Sequence, residues 1–209
     1  MQKIVFDNKI GDISLIGDIH GDYDFYDDAA SRLESSIQLG DFGFEFDVLK
    51  NHDPKLHRVL GGNHDNYDEI VKVPHYLGDY GSIEWNDKNI FFVRGAASID
   101  KMHRTIGIDW WADEELSNRQ MESCMNCYRE QKPDVLITHC PPKFAVEWFV
   151  KPMFFPKTEL FFQHLHDVHK PKFHIFAHMH YPMVTVKDGT KFVSVGINQI
   201  ASLKEILAT

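Results

Sequence analysis

The 209-residue sequence is short of several things. No apolar run approaches the roughly 20 residues of a membrane-spanning helix, and the N-terminus carries no basic-then-apolar leader. Membrane insertion and secretion are not expected, and the cytoplasm is the expected compartment. Cysteine is scarce, and three residues build no disulfide framework. Cys124 and Cys127 form a CxxC, but in a polar, helix-patterned stretch with no second pair, which speaks against zinc or redox chemistry there. Excess positive charge is missing too. A net charge of −9 argues against an extended nucleic-acid surface. There is no internal repeat, low-complexity run or linker, so residues 1–209 read as one domain, long enough to bury a substantial core.

What is present is histidine, thirteen residues in all, and acid gathered toward the N-terminus. Residues 7–53 hold twelve Asp and Glu against three Lys and Arg, whereas residues 143–172 hold five lysines against three acids. The first stretch could hold cations and the second could lie near an anionic substrate. Either also reads as a solvated face. Nothing in the sequence indicates an oligomeric state.

Hydrophobic patterning alternates short strands with helices. Residues 3–6 and 13–16 read as paired strands about a turn near Asn8 and Gly11. Residues 23–34 carry Phe25, Tyr26, Ala29, Ala30 and Leu33 at helical spacing. Residues 36–39 form a strand ending at Gly40-Asp41, and 44–51 read as helix. Residues 56–60 form a strand running into Gly61-Gly62-Asn63-His64-Asp65. A hairpin is expected over 82–93 about Asn86-Asp87. A long helix follows over 113–131, its Asp113, Glu114 and Glu115 suiting the positive end of the helix dipole and Pro133 stopping it. A strand over 135–138 runs into His139-Cys140-Pro141-Pro142. An aromatic insert spans 144–155 and a helix 158–169. Strands follow at 173–176, 183–187 and 191–195, the last two joined by Asp188-Gly189. Polar clusters thus recur where strands end, and in α/β sheets sites assemble at the carboxyl ends of strands.

Five clusters occupy such positions: Asp18 with His20, Asp41, Asn63-His64-Asp65, His139, and His178 with His180. Each alone has an ordinary reading as a cap, a turn or a core histidine. With His64 and Asp65 set aside, they supply two aspartates, an asparagine and four histidines, enough for two metal ions sharing a bridging carboxylate. Nitrogen and oxygen donors without thiolate suit manganese, iron, zinc or nickel.

In chain order, Gly17-Asp18-Ile19-His20-Gly21, Gly40-Asp41, Gly62-Asn63-His64-Asp65, Thr138-His139-Cys140-Pro141-Pro142 and Ala177-His178-Met179-His180 resemble the motifs of the calcineurin-like metallophosphoesterase superfamily. The resemblance spans residues 17–180. It implies a four-layer α/β/β/α sandwich of two mixed β-sheets flanked by helices. Asp18, His20 and His180 would hold a first metal, Asn63, His139 and His178 a second, and Asp41 would bridge them. His64 matches the catalytic histidine and Asp65 its orienting carboxylate, an arrangement that favours a protonated imidazole. The implied activity is a dinuclear metal-dependent phosphoesterase, with manganese foremost, acting on a small phosphorylated compound or nucleotide. A nuclease or cyclic-nucleotide phosphodiesterase of the same fold, and a non-catalytic metal-binding scaffold, are the alternatives.

Two departures stand out. Ala177 replaces the usual glycine, tolerable if its backbone is not left-handed. Phe42 follows Asp41 where protein phosphatases carry a phosphate-binding arginine, and Asp65 replaces a glutamate, so a serine/threonine protein phosphatase is not expected. Ser98-Ile99-Asp100, with Arg104 and Trp110-Trp111, resembles a segment of small superfamily members with no assigned role. Arg94, Arg104, Lys143, Lys151 and Lys157 could each clamp a phosphate or simply be solvated. His164, His166 and His169 are expected to form an exposed helix face rather than a metal site. Phe144, Trp148, Phe149, Phe154 and Phe155 read as packing, with a base-stacking platform as the alternative.

Overall fold

In the run Ile90-Phe91-Phe92-Val93 every side chain is buried, so this strand has to be covered on both faces. The computed structural model, which describes residues 2–6 and 10–208, shows what covers it. The elements run β1 (Gln2–Val5), β2 (Ser14–Ile16), α1 (Tyr23–Arg32), β3 (Ser36–Gln38), β4 (His57–Val59) and α2 (Tyr67–Ile70). Then come β5 (Tyr80–Trp85), β6 (Lys88–Val93), α3 (Asn118–Gln131), β7 (Val135–Thr138), α4 (Lys143–Val146) and α5 (Lys157–Val168). The chain closes with β8 (Phe173–Phe176), β9 (Met183–Lys187), β10 (Thr190–Ser194), β11 (Ile200–Ser202) and α6 (Leu203–Ala208).

The strands form a seven-stranded sheet, β1-β5-β6-β7-β8-β10-β9, and a four-stranded sheet, β11-β2-β3-β4. Both are mixed: β2, β3 and β4 run parallel with β11 antiparallel, and β6, β7, β8 and β10 run parallel with β5 and β9 antiparallel. The period-two alternation of side chains sorts residues into three cores. Leu15, Ile37, Ile90, Phe92, Val135, Ile137 and Val193 meet in one cluster drawn from both sheets. The alternate residues Ile16 and Val59 of the small sheet face Tyr26 and Ala30 of α1 and Ile70 of α2. Phe91, Val93 and Leu136 of the large sheet face Cys124 and Tyr128 of α3 and Phe161, Phe162 and Leu165 of α5. Helix, sheet, sheet and helix are stacked in that order, the expected sandwich.

Several local expectations need correction. β1 does not pair with β2: it lies parallel to β5 in the large sheet, and β2 belongs to the small one. Asn8 lies outside the described residues. Residues 44–51 give only a short 3-10 helix, Asp47–Asn51. The helix expected from Asp113 begins at Asn118, because Ser117 and Gln120 close a reciprocal capping box that fixes the first turn there. Asp113, Glu114 and Glu115 lie before that helix, so the dipole reading fails, and Glu114 is buried. Strand β11 and helix α6 had no counterpart in the sequence reading. The hairpin turns came out as expected, with Asn86, Asp87, Asp188 and Gly189 all at positive φ. No described helix is long and apolar enough to cross a membrane.

Candidate dinuclear metal centre

The carboxyl ends of β2, β3, β4, β7 and β8 deliver the five clusters to one place. Backbone hydrogen bonds tie the loops together: His20 N–H donates to Asp41 O at 2.9 Å, Ala177 N–H to His139 O at 2.9 Å, and Gly95 N–H to Gly61 O at 2.8 Å. Glycine is demanded at Gly40 and Gly62. A Cβ on Gly40 would stand 2.5 Å from His139 Nδ1, and one on Gly62 would stand 2.3 Å from Asp41 Oδ1. Four of the site residues themselves are left-handed: His20 (φ 44°), Asp41 (56°), His178 (63°) and His180 (62°). Such backbone costs on the order of 1–3 kcal/mol per non-glycine residue and gathers at functional sites. Ala177 is not left-handed, so its methyl is accommodated.

Asp18, His20, Asp41 and His180 bring ligand atoms within 4.8 Å of one another, and so do Asp41, His139 and His178. Asp41 is common to both groups. His20 Nε2 lies 2.9 Å from His180 Nε2, and His178 Nδ1 lies 3.3 Å from His139 Nε2. Ligand atoms about 2.1 Å from one ion stand roughly 3 Å apart at right angles, so this convergence of nitrogens is what a shared ion requires. His180 Nε2 is 3.2 Å from Asp18 Oδ2, and His139 Nε2 is 3.2 Å from Asp41 Oδ1. His139 Nδ1 donates to Leu39 O at 2.8 Å, which leaves Nε2 free to ligate.

At this site three buried oxygens lack a well-directed hydrogen bond: Asp18 Oδ2, whose nearest nitrogen is His180 Nε2 at 3.2 Å, Asp41 Oδ2 and Asn63 Oδ1. The other oxygen of each aspartate is satisfied, Asp18 Oδ1 by His178 N–H at 3.1 Å and Asp41 Oδ1 by His64 N–H at 2.8 Å. Leaving a buried acceptor unpaired costs about 1–3 kcal/mol, so three such atoms beside four imidazoles fit a pair of cations. Burial would lower the His139 imidazole, but the Asp41 and Asp18 carboxylates outweigh it and lift the group to about 9. Burial, with the His139 charge adding, pushes the His178 imidazole down to about 4, its neutral ligating form.

The segment with no assigned role proves to buttress the Asn63-His64 loop. Ser98 Oγ donates to Glu114 Oε2 at 2.7 Å and Ser98 N–H to Glu114 Oε1 at 2.8 Å. Ser98 Oγ in turn accepts from Asn63 Nδ2 at 3.3 Å, which points the bare Oδ1 the other way. Arg104 is gripped by both Asp100 oxygens at 2.9 Å and donates through Nη1 to His64 Nδ1 at 2.9 Å. A guanidinium only donates, and it meets both ring nitrogens, Nδ1 at 2.9 Å and Nε2 at 3.4 Å; the shorter contact favours Nδ1 as acceptor, with the ring proton on Nε2. Trp111 Nε1 donates to Asp68 Oδ2 at 2.9 Å and packs against Phe44. In the sequence this role was hinted at only by the unusual segment itself.

This changes the reading of two residues. Asp65 does not orient His64. Its oxygens accept from the backbone N–H groups of Asp41, Gly43 and Gly62, so it staples the Asp41 loop to the Asn63 loop. Burial and the Asp41 charge push its carboxyl up to about 7. His64 is held by Arg104 instead, and burial, with the Arg104 charge adding and Asp41 opposing, lowers its imidazole rather than protonating it.

The remaining candidates are dispersed. Arg94 is spent on Asp79 and the Asp113 carbonyl, Lys157 on the Leu116 carbonyl, and Lys143 lies over the Phe155 ring. Lys151 lines a cavity described below. The expected exposed histidine face is not formed, since His166 is buried and bonded to His174 at 2.8 Å. Cys124 is core, and burial raises its thiol. Phe144 and Trp148 pack edge-on against Phe192, and Phe149 against Phe176, whereas Phe154 is exposed.

Comparisons with solved structures give the same fold. A dimetal phosphatase from Danio rerio superposes with a TM-score of 0.57 at 12% identity, covering 92% of this chain and 92% of that one. A phosphopantetheinyl hydrolase from Mycobacterium tuberculosis gives 0.53 at 17% identity, covering 90% of each chain. A putative 5'-nucleotidase from Staphylococcus aureus gives 0.51 at 12% identity over 91% of this chain and 49% of that one. No family model and no curated protein matches the sequence. The chain shares the fold of these proteins, the two-sheet sandwich expected from its sequence.

Proposed function

We propose that the chain is a metal-dependent phosphoester hydrolase with two divalent ions, manganese foremost, acting in the cytoplasm on a small phosphorylated compound or nucleotide. The observation that supports this best is the set of three unpaired buried oxygens, on Asp18, Asp41 and Asn63, beside convergent imidazoles. Asp18, His20 and His180 hold the first ion, Asn63, His139 and His178 the second, with Asp41 serving both. Bound there, such a pair supplies charge that polarises a phosphoryl group and a water acidified toward neutral pH. The protein's own groups do the rest. His64 presents its Nε2–H to the leaving oxygen as the P–O bond breaks, and stabilises the charge that develops there. Arg104, fixed by Asp100, sets the ring's tautomer and orientation. Asp65 keeps the two ligand loops in register.

Protein stripped of metal and then loaded with manganese, iron, zinc or nickel would be assayed on p-nitrophenyl phosphate and bis-p-nitrophenyl phosphate. Turnover of the first marks a monoesterase, and turnover of the second alone a diesterase of the nuclease or cyclic-nucleotide type. A fully loaded protein that turns over neither, nor any phosphorylated small molecule or nucleotide, would be the metal-binding scaffold.

A further inference from the structure

The chemistry proposed above leaves unused a cavity of about 490 Å³ that begins at His178. Its lining joins three separate stretches of chain: Ile99, Val146 and residues 150–156 with Glu159, and His178-Met179. Apart from Lys151, Glu159 and His178 the lining is apolar. Around it Ile99 is 77% exposed, Phe154 60% and Met153 wholly exposed. Large apolar side chains left in water beside a cavity do nothing for the fold and mark a binding surface. The first half of the aromatic insert is committed to packing, but this half is not. Glu159 adds an independent observation. It is 6% exposed, it lines the cavity, and its Oε2 has no partner. Burial, with the Glu115 charge adding, pushes its carboxyl up to about 7, where it can give as well as take a hydrogen bond.

We propose that this cavity seats the organic part of the phosphate ester, an apolar alkyl or aryl alcohol, with the Glu159 carboxyl hydrogen-bonding one polar atom on it. The inference rests on the phosphoesterase reading for the position of the phosphate, beside His178, and on the cavity for the rest. A volume near 490 Å³ lies within the range of small-molecule pockets. A sugar or nucleoside fits poorly, because it brings several hydroxyl groups and, away from His178, the wall is apolar except for the Glu159 carboxyl and Lys151. A smaller cavity of about 280 Å³, lined by His20, Tyr23, Phe44 and His64, opens on the other metal's side and provides the contrast.

The test is calorimetry of metal-loaded protein with alkylphosphonates from methyl to hexyl, which keep a phosphate-like head and cannot be hydrolysed. Burying each added methylene should raise affinity up to about fourfold. The double variant Met153→Asp/Phe154→Asp, at exposed positions, should flatten the series, while Phe44→Ala should keep its slope. A flat series in the unmodified protein overturns the inference, as does a slope kept by the double variant and lost in Phe44→Ala. The two readings fail separately. Turnover of p-nitrophenyl phosphate with a flat series removes the cavity assignment alone, and a clear slope without turnover of any ester removes the esterase alone.

Discussion

The molecule contains two kinds of histidine cluster, and they differ in whether their polar atoms are paid off. His166 and His174 form the closed kind. His166 Nε2 meets His174 Nδ1 at 2.8 Å, and His174 Nε2 meets Thr138 Oγ1 at 2.8 Å. Thr138 donates its own proton to Cys140 O at 2.7 Å, so it accepts from His174 and the chain of donors runs in one direction with both rings neutral. The strand-end cluster is the open kind. Its nitrogens converge on one another, and three oxygens among them find no donor. Histidine count alone does not separate the two. Unpaired acceptors do, because a cluster that serves the fold satisfies itself and one that serves a cation waits for it.

The comparison breaks most directly at Asp41, the only residue common to both ligand groups. Asp41→Asn should weaken both ions and cut the rate by several kcal/mol of barrier, roughly 10²–10⁴-fold. His180→Ala should chiefly empty the first position. Calorimetric titration checks this, and two ions bound by Asp41→Asn with unchanged affinity would rule out the bridge. The same contrast should appear in heat stability. Each ion present at 100 times its Kd should add about 2.7 kcal/mol to the native protein, and a chelator should remove it. Variants of His166 should retain that metal-dependent increment.

His64 sharpens the contrast from inside the open cluster, since it is a histidine there that is held by Arg104 and not by an unpaired oxygen. His64→Ala should keep both ions and lose roughly 10²–10³-fold in kcat on an alkyl phosphate, the usual loss for one donor to a developing oxyanion. The loss should be smaller on p-nitrophenyl phosphate, whose leaving group needs less help. A rate loss that follows metal loss would make the residue structural. An undiminished rate at full loading would remove it from the reaction.

The strand-end motifs were legible because a metal centre would fix residue type as well as position, and the first three lie beside glycines, Gly17, Gly40 and Gly62, that the close packing of the loops requires. The sandwich layers were expected from the resemblance those motifs carry, and not from the strand patterning. What the sequence hid was long-range. Local pattern could not show that β1 leaves its neighbour β2 to pair with β5, nor that His166 turns inward to reach His174 on β8. Adjacency misled at Asp65: the side chain next to His64 turns away into the loops, and the group that meets the imidazole comes from forty residues further on. The capping box at Ser117 and Gln120 was there to be read and would have placed the start of α3 correctly.

The closed cluster can be opened by acid. Burial pushes His166 down to about 4, against an ordinary value of 6.5, and lowers His174 as well. Between those pH values an unfolded chain binds a proton that the folded chain refuses. The contribution is therefore complete above about pH 6.5 and is lost as pH falls toward 4. For His166 alone it amounts to about 3 kcal/mol. Urea midpoints at pH 7.5 and 5 should fall further apart for the unmodified protein than for His166→Gln, whose amide can still donate to His174. An equal acid loss in both would show that the pair is not kept neutral.

The smallest expected effect lies one layer behind the metals, at Ser98. Its hydroxyl does two things at once: it donates to Glu114 and accepts from the Asn63 amide, and the second bond decides that Oδ1 rather than Nδ2 faces the centre. Ser98→Ala removes that choice without touching a ligand atom, and it leaves the Ser98 backbone bond to Glu114 in place. Groups that orient a metal ligand are worth about 10–100-fold in affinity. The loss should fall on the second ion alone, because Asn63 is assigned only there, so titration should show one weakened and one unchanged site. Ser98→Thr, which keeps the hydroxyl, should restore the affinity. Equal weakening of both sites would mean that the buttress holds the whole loop and not the amide of Asn63.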